Sequence, residues 1–236
     1  MIACIIQARL GSERLPKKIL EEVAPNVTLL QQVIRRVKKS KYVDKIVVAL
    51  ANDSKEVIPM VEAEGVEYSW YPLQGRNLLA EYVNAASKVN ADIIVRIAAD
   101  CPFIDPLTID QMISVFIPSE KDLAYNHNDN YTGFGVEIDG VDVEVFTRNA
   151  LLKAYSSTLV AYDLEHCTPW MYKNLKTMRV EQCWTDEILP EWVGNGQVKL
   201  SVNTPEQLEI VRKIISVLGT DFHTKTLTEY LSKNKP

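Results

Sequence analysis

Near the amino terminus an apolar run, Ile2-Ala3-Cys4-Ile5-Ile6, stops abruptly, and a polar loop carrying four cations follows before the next apolar pair, Ile19-Leu20. Residues 3–6 are short, apolar and β-branched at two positions, the pattern of a central strand in a parallel sheet with helices on both faces. That requirement restricts the chain to an α/β architecture. The loop is expected to begin at Gln7. Within it, Gly11 permits a sharp turn and a close approach of backbone to a ligand, Ser12 offers a hydroxyl and an N–H, and Arg9, Arg14, Lys17 and Lys18 offer charge. Open α/β sheets bind ligands just beyond the carboxyl ends of their strands, so the order strand, basic loop, helix predicts a polyanion site, with a merely solvated basic loop as the alternative. It is neither a Walker loop, since no GxxxxGK[ST] is present, nor a dinucleotide fingerprint, since Gly11 stands alone.

The rest of the chain repeats the α/β alternation. Apolar positions Leu29, Leu30, Val33, Ile34 and Val37 share one face of a helix predicted over 28–39, and 45–51 (KIVVALA) reads as a second buried strand. Asn52-Asp53-Ser54 is expected to cap a helix running to about residue 64. A short strand over 66–70, a helix over 78–89 and a strong central strand over 92–98 (DIIVRIA) follow. The expected fold is therefore a three-layer α/β/α sandwich with a mostly parallel, Rossmann-like sheet. Asp100 sits where the 92–98 strand meets its loop, at the same sheet edge as the basic loop, which makes it a candidate metal ligand, with capping of the next turn as the alternative. Asp105 and Asp110 are expected to cap or solvate a helix over 107–116.

From 123 to about 195 the pattern changes. Short strand-like pieces (DLAYN, FGVEI, VDVEVF) flank an Asn/Asp-rich loop, HNDNYTG, and this stretch reads as a small β-rich insertion that closes over the ligand within a single domain of 1–236. Towards the carboxyl end, a last strand over 199–202 leads into Asn203-Thr204-Pro205, where Thr204 as N-cap and Pro205 at the first position start a helix to about 218.

Composition narrows the partners. With 47% hydrophobic and 24% charged residues and a net charge of −5, the chain has no excess of cations with which to neutralise a nucleic-acid backbone. The four cysteines, Cys4, Cys101, Cys167 and Cys183, lack CxxC or Cys/His ligand spacing, so free buried thiols in a reducing compartment are expected. With no signal peptide and no stretch of transmembrane length, a cytoplasmic protein without a membrane partner is expected.

Four short motifs carry a family resemblance. ARLGSERLPKKIL resembles the opening signature ARxxSxRLPxKxL of the cytidylyltransferases that activate acidic sugars, and is most similar to the spore coat polysaccharide biosynthesis protein F branch, related to the acylneuraminate and 3-deoxy-manno-octulosonate cytidylyltransferases. RIAADCPFID resembles RxxxDxPLID, GVDVEVF resembles G(L/V)DVEVF with YDLEHCTPWM beside DREHVTPYI, and VNTPEQLE resembles VDTPEDLE. The resemblance implies the nucleotide-diphospho-sugar transferase type of fold and a nucleotidyl transfer from CTP to an anionic, sugar-like acceptor, assisted by Mg²⁺ and releasing pyrophosphate. In that scheme Arg9, Arg14 and Lys18 act on the β and γ phosphates, while Gln7, Ala8, Gly11, Ser12 and Asn52 meet the nucleotide. Asp100 and position 203 hold the metal, and Asn126, Asp142, Glu144, Glu165 and His166 contact the acceptor, unless the last four form an internal salt-bridge and hydrogen-bond set. It also implies a homodimer packed through the 123–195 region, where Trp170, Trp184 and Trp192 cluster, with core packing of each Trp as the alternative.

The chain departs from the family pattern at three places. Asn203 stands where the motif carries aspartate, so metal binding by the free protein is expected to be weak and the nucleotide to bring the ion with it. Asn77 replaces an acid and Glu81 a basic residue in the GxxDVLxRY-like segment at 75–79 and beyond. These departures keep open a nucleotide-binding protein without catalysis. A glycosyltransferase consuming a nucleotide sugar is a weaker alternative, because no DxD motif closes the 92–98 strand.

Overall fold

β1 (Ile2–Ala8) lies at the centre of the sheet, with its near-continuous apolar run buried on both faces. In the computed structural model, which describes residues 1–72, 77–126, 140–182 and 199–234, it is followed by a small hairpin, β2 (Glu22–Ala24) and β3 (Val27–Thr28). Then come α1 (Leu29–Val37), β4 (Lys45–Leu50), α2 (Ile58–Ala63), β5 (Glu67–Trp70), α3 (Leu78–Lys88), β6 (Ile93–Ala98), α4 (Pro106–Ser119) and β7 (Leu123–Tyr125). The second half supplies β8 (Glu144–Thr147), α5 (Arg148–Ser157), α6 (Ala161–His166), α7 (Pro169–Lys173), β9 (Val180–Gln182), α8 (Pro205–Leu218) and α9 (Thr224–Lys233).

The main sheet runs β5-β4-β1-β6-β8-β7-β9. β1 pairs in parallel with β4 on one side and β6 on the other, so Gln7 lies opposite both Ala49 and Ala98. The loops after β1, β4 and β6 therefore leave the same edge at the same level, where the strand order switches direction and an open α/β sheet leaves a crevice. β8 runs antiparallel to β6, β7 antiparallel to β8, and β9 parallel to β7.

Two apolar layers cover the sheet. Cys4, Ile6 and Ala8 point to the face packed by Leu30, Val33 and Ile34 of α1 and Ile109 and Ile113 of α4. Ala3 and Ile5 point to the other face, against Leu79, Tyr82 and Ala85 of α3 and Leu151 of α5. Residues of α8 and α9, with Leu200, Val202 and Phe103, form a third cluster. The helix starts follow their local chemistry: Thr28 and Gln31 form a reciprocal capping box at α1, Thr204 and Gln207 form another at α8, and the Asp105 carboxylate accepts from the Leu107 N–H at α4.

Several sequence expectations shift. β1 continues through Gln7 to Ala8, which stay in register with Ala49 and Leu50 of β4, and the Gln7 side-chain oxygen accepts from Arg96 Nε and the Tyr82 hydroxyl at 3.2 and 3.3 Å. Asn52-Asp53-Ser54 does not cap one long helix: Asn52–Val57 is a 3-10 turn, and α2 starts afresh beside Pro59, which has no N–H with which to continue the ladder. Residues 199–203 form no strand; Val202 N–H makes a single bond of 2.8 Å to the Asp100 carbonyl instead of a ladder. β7 and β8, expected inside the insertion, extend the main sheet beside β6. FGVEI, HNDNYTG, Cys183, Trp184 and Trp192 lie outside the described residues, whereas Cys4, Cys101 and Cys167 are buried, with Cys101 Sγ donating to Asp100 Oδ1 at 3.7 Å. Trp170 packs partly buried against the core.

Candidate active site

The crevice at the carboxyl edge of β1, β4 and β6 is a cavity of about 560 Å³. Its floor comes from Gln7 and Ala8 of β1, Ala51 and Asn52 after β4, and Ala98 to Asp100 at the end of β6. The basic loop forms one wall through Arg9, Gly11, Ser12, Arg14 and Lys18, α3 contributes Leu78 and Glu81, and Glu165 and His166 close it from the end of α6.

The loop has a defined shape. The Leu10 carbonyl accepts from Ser12 N and Lys17 N at 2.8 and 3.0 Å, and Leu10 N donates to Ser54 Oγ at 3.0 Å, which ties the loop to the turn after β4. Gly11 does not have a left-handed backbone; a Cβ there would lie 2.6 Å from Asp53 Oδ2, so any side chain at 11 would push that carboxylate aside. The left-handed residue is Lys17, at φ 57°, and the reversal sends its ammonium outwards to Glu56 at 2.7 Å while Lys18 turns inwards.

Lys18 is the most committed of these cations. Only 8% of it is exposed, and its Nζ donates to Asp100 Oδ2 at 2.5 Å and to Asn203 Oδ1 at 2.9 Å. Two oxygens from distant parts of the chain thus converge on one positive centre. Asn203 is itself fixed: its N–H donates to Gln207 Oε1 at 2.7 Å and its Nδ2 to Ser201 Oγ at 3.1 Å, which aims Oδ1 at the lysine. Arg9 and Arg14 are exposed along the loop, with Arg9 Nη1 4.0 Å from Glu165 Oε1.

Gln7, Ala8, Arg9, Gly11, Ser12, Arg14, Lys18, Asn52, Asp100, Glu165, His166 and Asn203 therefore meet in one cavity although they span most of the chain. Three expected acceptor contacts do not join them. Asn126 is buried, and its side chain bridges backbone, accepting from Val143 N at 2.7 Å and donating to the Val141 carbonyl at 3.3 Å. Glu144 is 1% exposed; Oε2 takes the Arg96 guanidinium at 2.5 Å, and Oε1 accepts from the Thr168 and Tyr172 hydroxyls at 3.0 and 2.5 Å. It belongs to the internal network that the sequence left as the alternative. Asp142 is half-buried before β8 and, among the described residues, does not line the cavity.

Other lining residues were not anticipated as site residues. Arg96 connects Glu144 to Gln7 Oε1, and its one signal was a lone charge inside the apolar run IIVRIA. Asp53 and Glu81 face the cavity opposite the metal candidates' strand end, and Asn77 caps α3 by accepting from Ala80 N at 2.9 Å. Burial, reinforced by the Asp53 carboxylate and opposed by Arg9, pushes Glu81 up to about 7. Near neutral pH the cavity thus holds a carboxyl that is only partly ionised, beside fixed positive charge.

Known proteins resemble this chain over nearly its whole length. A family model described as cytidylyltransferase matches residues 3–229. A solved cytidylyltransferase from Leptospira borgpetersenii superposes with a TM-score of 0.85 at 28% identity, covering 99% of this chain and 94% of that one. The spore coat polysaccharide biosynthesis protein SpsF of Bacillus subtilis is 27% identical over 99% of this chain and 95% of its own. The 3-deoxy-manno-octulosonate cytidylyltransferase of Thermodesulfovibrio yellowstonii is 25% identical over 90% and 97%.

Proposed function

The chain belongs to the cytidylyltransferase family of nucleotidyltransferases, with a nucleoside triphosphate as partner, and from that premise we propose that it transfers a cytidylyl group from CTP to an anionic, sugar-like acceptor destined for a surface polysaccharide. The observation that carries the reading is the convergence of Lys18, Asp100 and Asn203 beneath a loop bearing Arg9 and Arg14, at the switch point of the sheet.

In the proposed reaction an ionised oxygen of the acceptor attacks the α-phosphorus, the bond from that phosphorus to the oxygen bridging the β-phosphorus breaks, and pyrophosphate leaves with the electron pair. No proton has to be moved, so neither Glu165 nor His166 is required as a base. Arg9, Arg14 and Lys18 stabilise the negative charge that collects on the leaving group, by position and charge alone. Gln7, Ala8, Asn52, Gly11 and Ser12 line the stretch of cavity where base, ribose and phosphate chain would lie. Glu165 and His166, across the mouth from Arg9, face the acceptor.

The donor set fits Mg²⁺: Asp100 and Asn203 present hard oxygens to one point, and among the described residues no group of three or more His, Cys, Asp or Glu offers a fuller protein cage. Asp100 and Asn203 would hold the ion, whose chemistry there would be to supply positive charge against the departing pyrophosphate. A cytoplasmic location is part of the same proposal; no helix of the described residues is long and apolar enough to cross a membrane. A homodimer belongs to the same proposal. Leu159 at 95%, Leu175 at 58%, Val160 at 57% and Tyr162 at 49% exposure leave apolar side chains around α6 and α7 that a second copy would cover.

Pyrophosphate release with Mg²⁺, each of the four common nucleoside triphosphates and a panel of acidic sugars tests the proposal. Release confined to CTP and one acceptor supports it. If the protein and Asn203→Asp both bind nucleotide by thermal shift and neither releases pyrophosphate, the chain is a binder without catalysis.

A further inference from the structure

We propose that the Lys18 ammonium is a built-in counter-cation occupying the metal position between Asp100 and Asn203 in the free protein, and that it must leave those oxygens for the phosphate chain when nucleotide and metal enter together. The inference deepens the proposed function, since it rests on reading Asp100 as a metal ligand.

The geometry carries it. Lys18 Nζ is 2.5 Å from Asp100 Oδ2 and 2.9 Å from Asn203 Oδ1, so a single positive centre already bonds both oxygens that a cation there would use. The Lys18 side chain is 10% exposed and that of Asp100 22%, so the ammonium sits in a largely enclosed position between Asp100 Oδ2 and Asn203 Oδ1. Charge balance points the same way. One carboxylate and one amide carry a single negative charge, which one ammonium neutralises; an aspartate at 203 would leave a charge over for a metal. The replacement of acid by amide at 203 and the seating of Lys18 are thus two parts of one balanced arrangement. Arg9 and Arg14 are exposed on the loop above and available to receive phosphate first. The incoming triphosphate brings several negative charges, which give Lys18 a better partner than Asp100 and free both oxygens for the ion that travels with it.

Direct metal binding in the absence of nucleotide and acceptor tests this, using Mn²⁺ as a spectroscopic stand-in and counting free ion by electron paramagnetic resonance. The wild-type chain is expected to bind Mn²⁺ weakly. Lys18→Met should bind it at least about tenfold more tightly, because the resident charge is gone while Asp100 remains. Lys18→Gln keeps a donor for both oxygens without the charge and should show the same gain, which protects the test should the Met variant fold poorly. Lys18→Met/Asp100→Asn should lose the gain. Equal affinity in wild type and both single Lys18 variants, or a gain that survives in the double variant, overturns the proposal. The readout involves no turnover, so absence of pyrophosphate release would count against the proposed reaction and leave this result standing, and the reverse.

Discussion

At the scale of single residues, Lys18 bears on both turnover and stability, and Glu81 on how stability depends on pH. Lys18 bonds two groups in the cavity, so Lys18→Ala should lower turnover by about 10²–10³-fold at saturating substrate, and it should also lower the unfolding midpoint because the Asp100 carboxylate, 22% exposed, loses its counter-ion. Near wild-type turnover would remove Lys18 from the reaction. Glu81 is a carboxyl raised from 4.5 to about 7, so the folded protein holds a proton that the unfolded chain has released, and stability falls as pH rises through that window. Glu81→Gln should flatten this fall. Partial solvent contact reduces the effect to an order of about 1–2 kcal/mol between the ends of the window, measurable by urea titration at several pH values. A wild-type curve already flat there would contradict the assignment. Glu81 also shows what a sequence leaves out: its departure from the family pattern marked the position, yet its placement beside Asp53 comes only from the folded packing of α3 against the turn after β4.

At the scale of elements, legibility follows how local the cause is. β1, β4 and β6 were readable because a strand buried on both faces is mostly apolar, α1 because its apolar positions fall on one helical face, and α4 and α8 because Asp105 and Thr204 start them with side chains close in sequence. The failures have non-local causes. Residues 199–202 look like a strand because Leu200 and Val202 are buried, but that burial is against α8, α9 and Phe103, with a backbone bond to Asp100 in the loop after β6. Asn126 and Glu144 lie in polar, family-like segments, and their partners come from other elements. Glu144 joins β8 to Arg96 on β6 and to Thr168 and Tyr172 around α7, which sets the end of α6, and hence Glu165 and His166, over the cavity. Removing one member of a buried pair leaves the other unmatched, so Glu144→Ala should destabilise by about 3–5 kcal/mol in chemical denaturation. A loss below about 1 kcal/mol would mean that Glu144 is not a structural tie and return it to the acceptor site.

At the scale of the whole molecule, the phosphate loop, Asp100 and Asn203 were each visible as motifs, and their convergence follows from the sheet: parallel strands in the order β4-β1-β6 bring their following loops to one edge. The sequence could not show that Lys18 bridges the other two, because no pattern encodes a contact across 185 residues. The apolar side chains left outside α6 and α7 make an association prediction. Leu159→Glu with Val160→Glu should convert a dimer into a monomer in sedimentation equilibrium with unfolding unchanged, since both side chains are already exposed. A wild-type chain that sediments as a monomer would contradict it. The central claim is that the α–β bond of a nucleoside triphosphate is broken and the nucleotidyl group passed to an acceptor. CTP radiolabelled at the α-phosphorus tests this most directly: the account predicts label in a new acceptor-linked cytidylyl product and unlabelled pyrophosphate in equal amount. Label recovered only as CTP, or as free nucleotide with the acceptor unchanged, would contradict it.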